Sequence, residues 1–194
     1  MENIKAVIFD ADGVVMHGEW FSKRYSEKFG IPLEDIMIFF DNEFQDCLVG
    51  KADLKEVILP HLQKWGWKGT VEEVLQFWFG DGYQLDKEMI DFIRALKSSG
   101  KICILATNQE KHRVLYMKSE MGLGKVFDYT ISSADTGCKK DTPEFYKELF
   151  KLLPEMKPGE MLFFDDRQKN IDTANSLGIK ALLFKNLEDS KKYF

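Results

Sequence analysis

The chain has 194 residues, 44% of them hydrophobic, with a formal net charge of −5 and an isoelectric point near 5.3. That length and apolar content suffice for one domain, or for a domain carrying a smaller insertion, whereas the acidic balance argues against a broad nucleic-acid surface, which needs clustered Lys and Arg. Cys47, Cys103 and Cys138 are scattered and lack Cys-x-x-Cys spacing; with no basic-apolar leader and no run approaching ~20 apolar residues, the expectation is a soluble, cytoplasmic protein without disulfides, zinc or a membrane span.

Residues 4–9 form an apolar run of the kind found in strands buried on both faces, and it ends in Asp10-Ala11-Asp12-Gly13. At i, i+2 spacing in an extended segment both carboxylates can leave on one side. Two such charges in one site call for a bound cation or a shared proton, and Gly13 permits a sharp turn. The stretch reads as a nucleophile and an acid/base partner arranged around a divalent metal.

Residues 19–79 carry helical patterns and almost no alternation: Phe21, Tyr25 and Phe29, then Leu33, Ile36, Met37 and Phe40, then Leu54, Val57, Ile58 and Leu62, then Val71, Val74, Leu75, Trp78 and Phe79. The expectation is a small helical bundle, 16–83, inserted into a core made of 1–15 and 84–194. Its aromatics, Phe39, Phe40, Phe44, Trp65, Trp67, Phe77, Trp78 and Phe79, mostly supply the large side chains that a small bundle needs to bury. His17 and Trp20, where the insertion begins, read as packing or surface, with contact to a substrate's leaving group as the sharper alternative. His61 and His112 read as surface residues, because neither has a partner at metal-ligand spacing. Asn42, Glu43 and Gln45 are polar positions that could meet a substrate or face water.

Beyond residue 88 strands and helices alternate. A helix over 89–96 is stopped by Gly100, and a strand over 102–106 ends in Thr107-Asn108. Further helices over 114–121, 143–153 and 171–177 alternate with strands over 129–131, 161–164 and 179–184, with Thr142 the expected N-cap ahead of Pro143. The strand over 161–164 ends in Asp165-Asp166. Five such strands imply an α/β fold with a Rossmann-like, doubly wound parallel sheet. In strand order 3-2-1-4-5 the first strand is central, and the polar ends of its two neighbours meet Asp10 and Asp12 in one pocket beyond the carboxyl edge.

Several carboxylates, a hydroxyl and a lysine suit a phosphoryl group bridged to a hard cation, for which magnesium prefers oxygen ligands in octahedral geometry. Asp10 would attack phosphorus, Asp12 would act as acid/base, and Thr107 would donate its hydroxyl to a phosphate oxygen.

Four motifs in order, Phe9-Asp10-Ala11-Asp12-Gly13-Val14, Leu105-Ala106-Thr107-Asn108, Lys140 ahead of Pro143-Glu144-Phe145-Tyr146, and Phe163-Phe164-Asp165-Asp166-Arg167-Gln168-Lys169-Asn170, resemble those of the haloacid dehalogenase superfamily. The resemblance spans essentially the whole chain and points to the branch with a helical cap after the first motif. The run through Asn175-Ser176-Leu177-Gly178-Ile179 is similar to sugar-phosphate phosphatases of that branch, such as the alpha-glucose-1-phosphatase type, and to the phosphatase domain of epoxide hydrolases. The resemblance implies that Asp10 is the nucleophile and a metal ligand, and that Asp12 is the acid/base, lending its backbone carbonyl to magnesium. It implies that Thr107, Asn108 and Lys140 hold the phosphoryl group, with Asp166 as third metal ligand and Asp165 in support. Two departures leave alternatives open. Lys139 stands beside Lys140, although spacing to Glu144 favours Lys140, and the adjacent acids leave Asp165 as an alternative to Asp166.

The expected activity is therefore a magnesium-dependent phosphatase acting through an aspartyl phosphate on a small phosphorylated metabolite, a sugar phosphate first. The alternatives are a phosphomutase resembling beta-phosphoglucomutase and a non-catalytic binding protein on the same fold. Dehalogenation is disfavoured by Asp12, since a haloacid needs neither a proton on a leaving oxygen nor magnesium. The partner is a small molecule, not nucleic acid or membrane, and the expected state is a monomer or a weak dimer.

Overall fold

The computed structural model describes residues 4–194, so residues 1–3 of the expected core segment lie outside it. Strand β1 (Ala6–Phe9) is wholly buried. The chain then turns into β2 (Met16–Gly18) and five helices: α1 (Phe21–Phe29), α2 (Leu33–Asp41), α3 (Glu43–Leu48), α4 (Leu54–Lys64) and α5 (Val71–Phe79). It returns through β3 (Tyr83–Leu85) and α6 (Lys87–Ser98) to β4 (Ile102–Thr107). The rest alternates as α7 (Lys111–Ser119), β5 (Tyr129–Ser132), the short α8 (Ser133–Thr136), α9 (Pro143–Leu152), β6 (Met161–Asp165), α10 (Gln168–Ser176), β7 (Lys180–Leu183) and α11 (Leu187–Lys191).

The five core strands lie in the order β5-β4-β1-β6-β7, all parallel. This is the expected 3-2-1-4-5 arrangement. Alternation along β1 makes the sheet a middle layer. Val7 and Phe9 join a core with Met89, Ile93 and Leu96 of α6, while Ala6 and Ile8 face Phe145, Tyr146 and Leu149 of α9 and Ile171 and Ala174 of α10. Each such large side chain taken out of water stabilises the fold by about 1.5–3 kcal/mol.

A third core is built mainly by the five helices, with Phe21, Tyr25, Ile36, Phe39, Ile58, Trp65, Val74 and Trp78 buried in it and Tyr116 of α7 packed against it. Caps define those helices: Asp53 accepts from Lys55 N at the start of α4, and Thr70 and Glu73 form a reciprocal capping box at the start of α5. The segment is tied to the sheet by an antiparallel ribbon, β2 with β3, which aligns Met16 with Leu85 and Gly18 with Tyr83. Sequence reading missed this ribbon, because three-residue strands carry no measurable alternation.

Other expectations need correction. His61 is buried, not on the surface: its ring lies 5.0 Å from that of Phe39 and its Nε2 is 3.3 Å from Glu43 Oε1. His112 pairs with Asp53 across the two parts of the molecule, at 2.9 Å. Thr142 sits at the N-cap of α9, but its hydroxyl donates back to Lys139 O (2.8 Å) and caps nothing. His17 and Trp20, by contrast, are largely exposed, in agreement with the surface reading.

The helical segment meets the core at several places. Gln45 of α3 accepts from Lys139 Nζ at 2.5 Å, and Asp53 pairs with Lys111 (2.5 Å) as well as with His112. Gly50, with φ of +70°, passes so near the core that a Cβ there would lie 2.4 Å from the Ala134 carbonyl oxygen.

Candidate active site

Register sets the site. Phe9 of β1 pairs with Leu105 of β4 and Phe164 of β6, so Asp10, Thr107 and Asp165 all emerge at the same carboxyl edge of three adjacent strands. Backbone bonds fasten this edge: Asp10 N donates to Phe164 O (2.9 Å) and Phe184 N to Asp165 O (2.8 Å).

Lys140 lies at the centre. It is 1% exposed, and its Nζ is 2.5 Å from Asp10 Oδ1 and 2.7 Å from Asp165 Oδ2. Asn108 holds the segment that carries this lysine by accepting from Lys140 N at 2.9 Å. Lys139 points elsewhere, to Gln45.

One carboxylate oxygen from each of Asp10, Asp165 and Asp166 falls within 4.8 Å of the others. Three acids beside one lysine leave a surplus of negative charge that a divalent cation neutralises. Burial pushes the Asp10 carboxyl up to about 7, against the pull of Lys140 and with the repulsion of Asp165 adding to the rise. Asp166 is also raised, by partial burial and then by Asp165.

The two acids at the end of β6 differ in what they touch. Asp165 is saturated: Oδ1 accepts from Arg167 N (2.8 Å) and Asn170 Nδ2 (2.9 Å), and Oδ2 from Lys140 and, at 3.0 Å, again from Asn170. Asp166 makes no side-chain hydrogen bond among the described residues and leans over Gly13, where a Cβ would lie 2.6 Å from its Oδ2. Gly13, with φ of +79°, thus supplies both the turn and the space. Oxygen donors from Asp10 and Asp166, set in a cradle that excludes a side chain, are the kind of ligand that magnesium takes.

Asp12 does not join the acid cluster. Its Oδ2 accepts from Gln109 Nε2 at 2.5 Å and its Oδ1 lies 3.4 Å from Arg113 Nη2. The i, i+2 spacing does not bring the two carboxylates onto one cation, because the chain has left β1 and is turning by Asp12: Val15 N and Met16 N both donate to Ala11 O. Gln109, Arg113 and Glu110 escaped sequence reading as ordinary polar residues around a helix start. Glu110 is 1% exposed and caps α7 by accepting from His112 N (2.8 Å) and Arg113 N (2.5 Å). Asn170 stood in a quoted motif without a role. Its spacing of five from Asp165 was the available signal, since it returns the first turn of α10 to the strand end.

The sequence matches the haloacid dehalogenase-like hydrolase family over residues 4–178. The chain belongs to that family. Among curated relatives, the hydrolase is 25% identical to a phosphorylated carbohydrates phosphatase of Thermotoga maritima, over 97% of this chain and 89% of the relative. It is also 25% identical to a D-ribitol-5-phosphate phosphatase of Bacteroides thetaiotaomicron, over 96% and 94%. Its fold matches a haloacid dehalogenase family enzyme of Bacteroides thetaiotaomicron solved with magnesium and inorganic phosphate. That match has a TM-score of 0.82 at 20% identity and covers 98% of this chain and 99% of the other. No helix among the described residues is long and apolar enough to cross a membrane.

Proposed function

We propose that this hydrolase is a magnesium-dependent phosphatase that cleaves a small phosphorylated metabolite, a sugar phosphate in the first instance, through an aspartyl phosphate. The observation that carries this reading is the buried Lys140 ammonium set between Asp10 and Asp165 with Asp166 alongside. One Asp10 oxygen attacks phosphorus, and the bond from phosphorus to the leaving oxygen breaks as Asp12 gives that oxygen a proton. Water then attacks the acyl phosphate, Asp12 takes its proton, and inorganic phosphate leaves with Asp10 restored. Lys140 and Thr107 offset charge on the phosphoryl oxygens; a donor of this kind contributes about 2.7–4 kcal/mol to transition-state stabilisation in other enzymes. Asn108 keeps Lys140 in place through its backbone contact. Asp10, Asp166 and the Asp12 carbonyl would hold magnesium, which supplies charge neutralisation when bound, and Asp165 keeps lysine and strand end in register.

The helices over the site favour small substrates, since closure excludes water and large chains alike. Two curated relatives matched over nearly the whole chain, named for phosphorylated carbohydrates and for ribitol 5-phosphate, support a sugar phosphate. Phosphate release from a panel of phosphorylated sugars, polyols and nucleotides, with magnesium or with EDTA, tests the reading. Turnover is expected only with magnesium, with Asp10→Asn lowering kcat by at least about 10³-fold. Silence across the panel, or an active Asp10→Asn, overturns it.

A further inference from the structure

Arg113 is the one arginine of this chain that is buried. It is 3% exposed, and its Nε and Nη1 are buried without a hydrogen-bond partner among the described residues. The one carboxylate its guanidinium pairs with is that of Asp12, while Glu110, close by in the same helix turn, spends its oxygens on backbone N–H groups. A buried guanidinium satisfied on one nitrogen of three is a poor device for stability. Such a local cost is expected where function uses the group.

Its surroundings show what it is held for. The guanidinium carbon stacks 4.1 Å from the centre of the Tyr83 ring, in the ribbon that ties the helical segment to the core, and 5.6 Å from that of Phe79 at the end of α5. Aromatic faces fix a guanidinium plane without competing for its hydrogen bonds. From there Nη2 reaches one oxygen of Asp12, and Gln109, four residues past the end of the register with β1, reaches the other. Both oxygens of Asp12 are thus engaged by donors from a single segment that begins at Thr107, and the carboxylate stands outside the cluster of Asp10, Asp165 and Asp166.

We propose that Gln109 and Arg113 are positioning residues for the proton-transferring carboxylate of Asp12: they hold it on the ribbon side of the site, where it meets the leaving oxygen of the substrate. This rests on the phosphatase reading above. The ring of Tyr83 ties that orientation to the ribbon, so the proton donor is set by the same element that carries the helices.

The test separates a residue that acts through Asp12 from one that merely supports the fold. Two substrates are used: 4-nitrophenyl phosphate, whose leaving group departs without a proton, and the best alkyl phosphate of the panel, whose leaving group needs one. For Gln109→Leu and Arg113→Met, kcat on the alkyl phosphate is expected to fall about 10²-fold or more, the scale of general acid–base catalysis, with KM little changed. On the nitrophenyl ester the same variants should release a rapid burst near one equivalent of nitrophenolate and then turn over slowly, because only the second step still needs Asp12. In an Asp12→Asn background neither substitution should lower kcat further.

A parallel fall on both substrates without a burst, an added loss in the Asp12→Asn background, or a rise in KM with kcat kept overturns the proposal. If Arg113→Met does not fold, Gln109→Leu, at the loop before α7, decides alone. A wild type that is inactive on both esters, or a fully active Asp12→Asn, would instead remove the phosphatase reading and this proposal with it.

Discussion

At the scale of single residues, the site is a negotiation among charges that the sheet edge forces together. Burial, with Asp165 adding to it against the pull of Lys140, pushes the Asp10 carboxyl from its ordinary 3.8 up to about 7. A carboxyl whose folded value is raised binds its proton more tightly in the folded protein, so its contribution favours folding at low pH and is lost as pH rises from about 3.8 through about 7. In EDTA at pH 7.5, Asp10→Asn should therefore unfold at a higher temperature than wild type, although it is inactive. Adding magnesium should reverse the ranking, since an ion that binds only the folded state stabilises by RT ln(1 + [L]/Kd) and the variant lacks a ligand for it. Calorimetric scans of both proteins with and without the ion check this. An Asp10→Asn protein less stable than wild type in EDTA would contradict it.

At the scale of elements, the helical segment and the core are joined, besides the ribbon, by side chains at the start of α4 and on α7. Asp53 caps α4 through Lys55 N and pairs with Lys111 and His112 on α7. The Lys111 bond, then His112 and the cap, hold its carboxyl well below the usual carboxylate range against partial desolvation. A folded value depressed in this way contributes stability above about pH 3.8 and loses it as pH falls further. Asp53→Ala should cost about 0.5–2 kcal/mol, the range for a lost N-cap, read as a lower urea midpoint at pH 7, with the gap between the two proteins narrowing at acid pH.

The same elements show what sequence could tell. β1, β4 and β6 were legible because each is an apolar run that ends in polar residues, and a parallel sheet then places those ends together. Lys140 was legible from its distance to Glu144. The partners of Asp12 were not, since Gln109 and Arg113 lie around a helix start where polar residues are common, and nothing in periodicity says that one is buried against Tyr83. The β2–β3 ribbon was illegible for another reason: its pairing joins residues 16–18 to residues 83–85 across the whole helical segment, and no local pattern reports so distant a partner.

At the scale of the whole molecule, two cores lie on the faces of the sheet and a third fills the helices, each with its own buried aromatics. The helices therefore draw most of their packing from one another. They also meet the sheet side of the molecule at Gly50, whose backbone lies against the Ala134 carbonyl. Because main chain meets main chain there, a single added methyl is a wedge. Gly50→Ala meets that carbonyl and must also hold a positive φ, which only glycine adopts freely, so the helices should come to rest further out. Substrate KM should rise, and acrylamide should quench tryptophan fluorescence more strongly than in wild type; an unchanged KM and unchanged quenching would mean that the two backbones do not bear on closure. With backbone on both sides of this contact, no change of side-chain length can relax it: altering how closely the helices approach the sheet means redrawing the loop around Gly50.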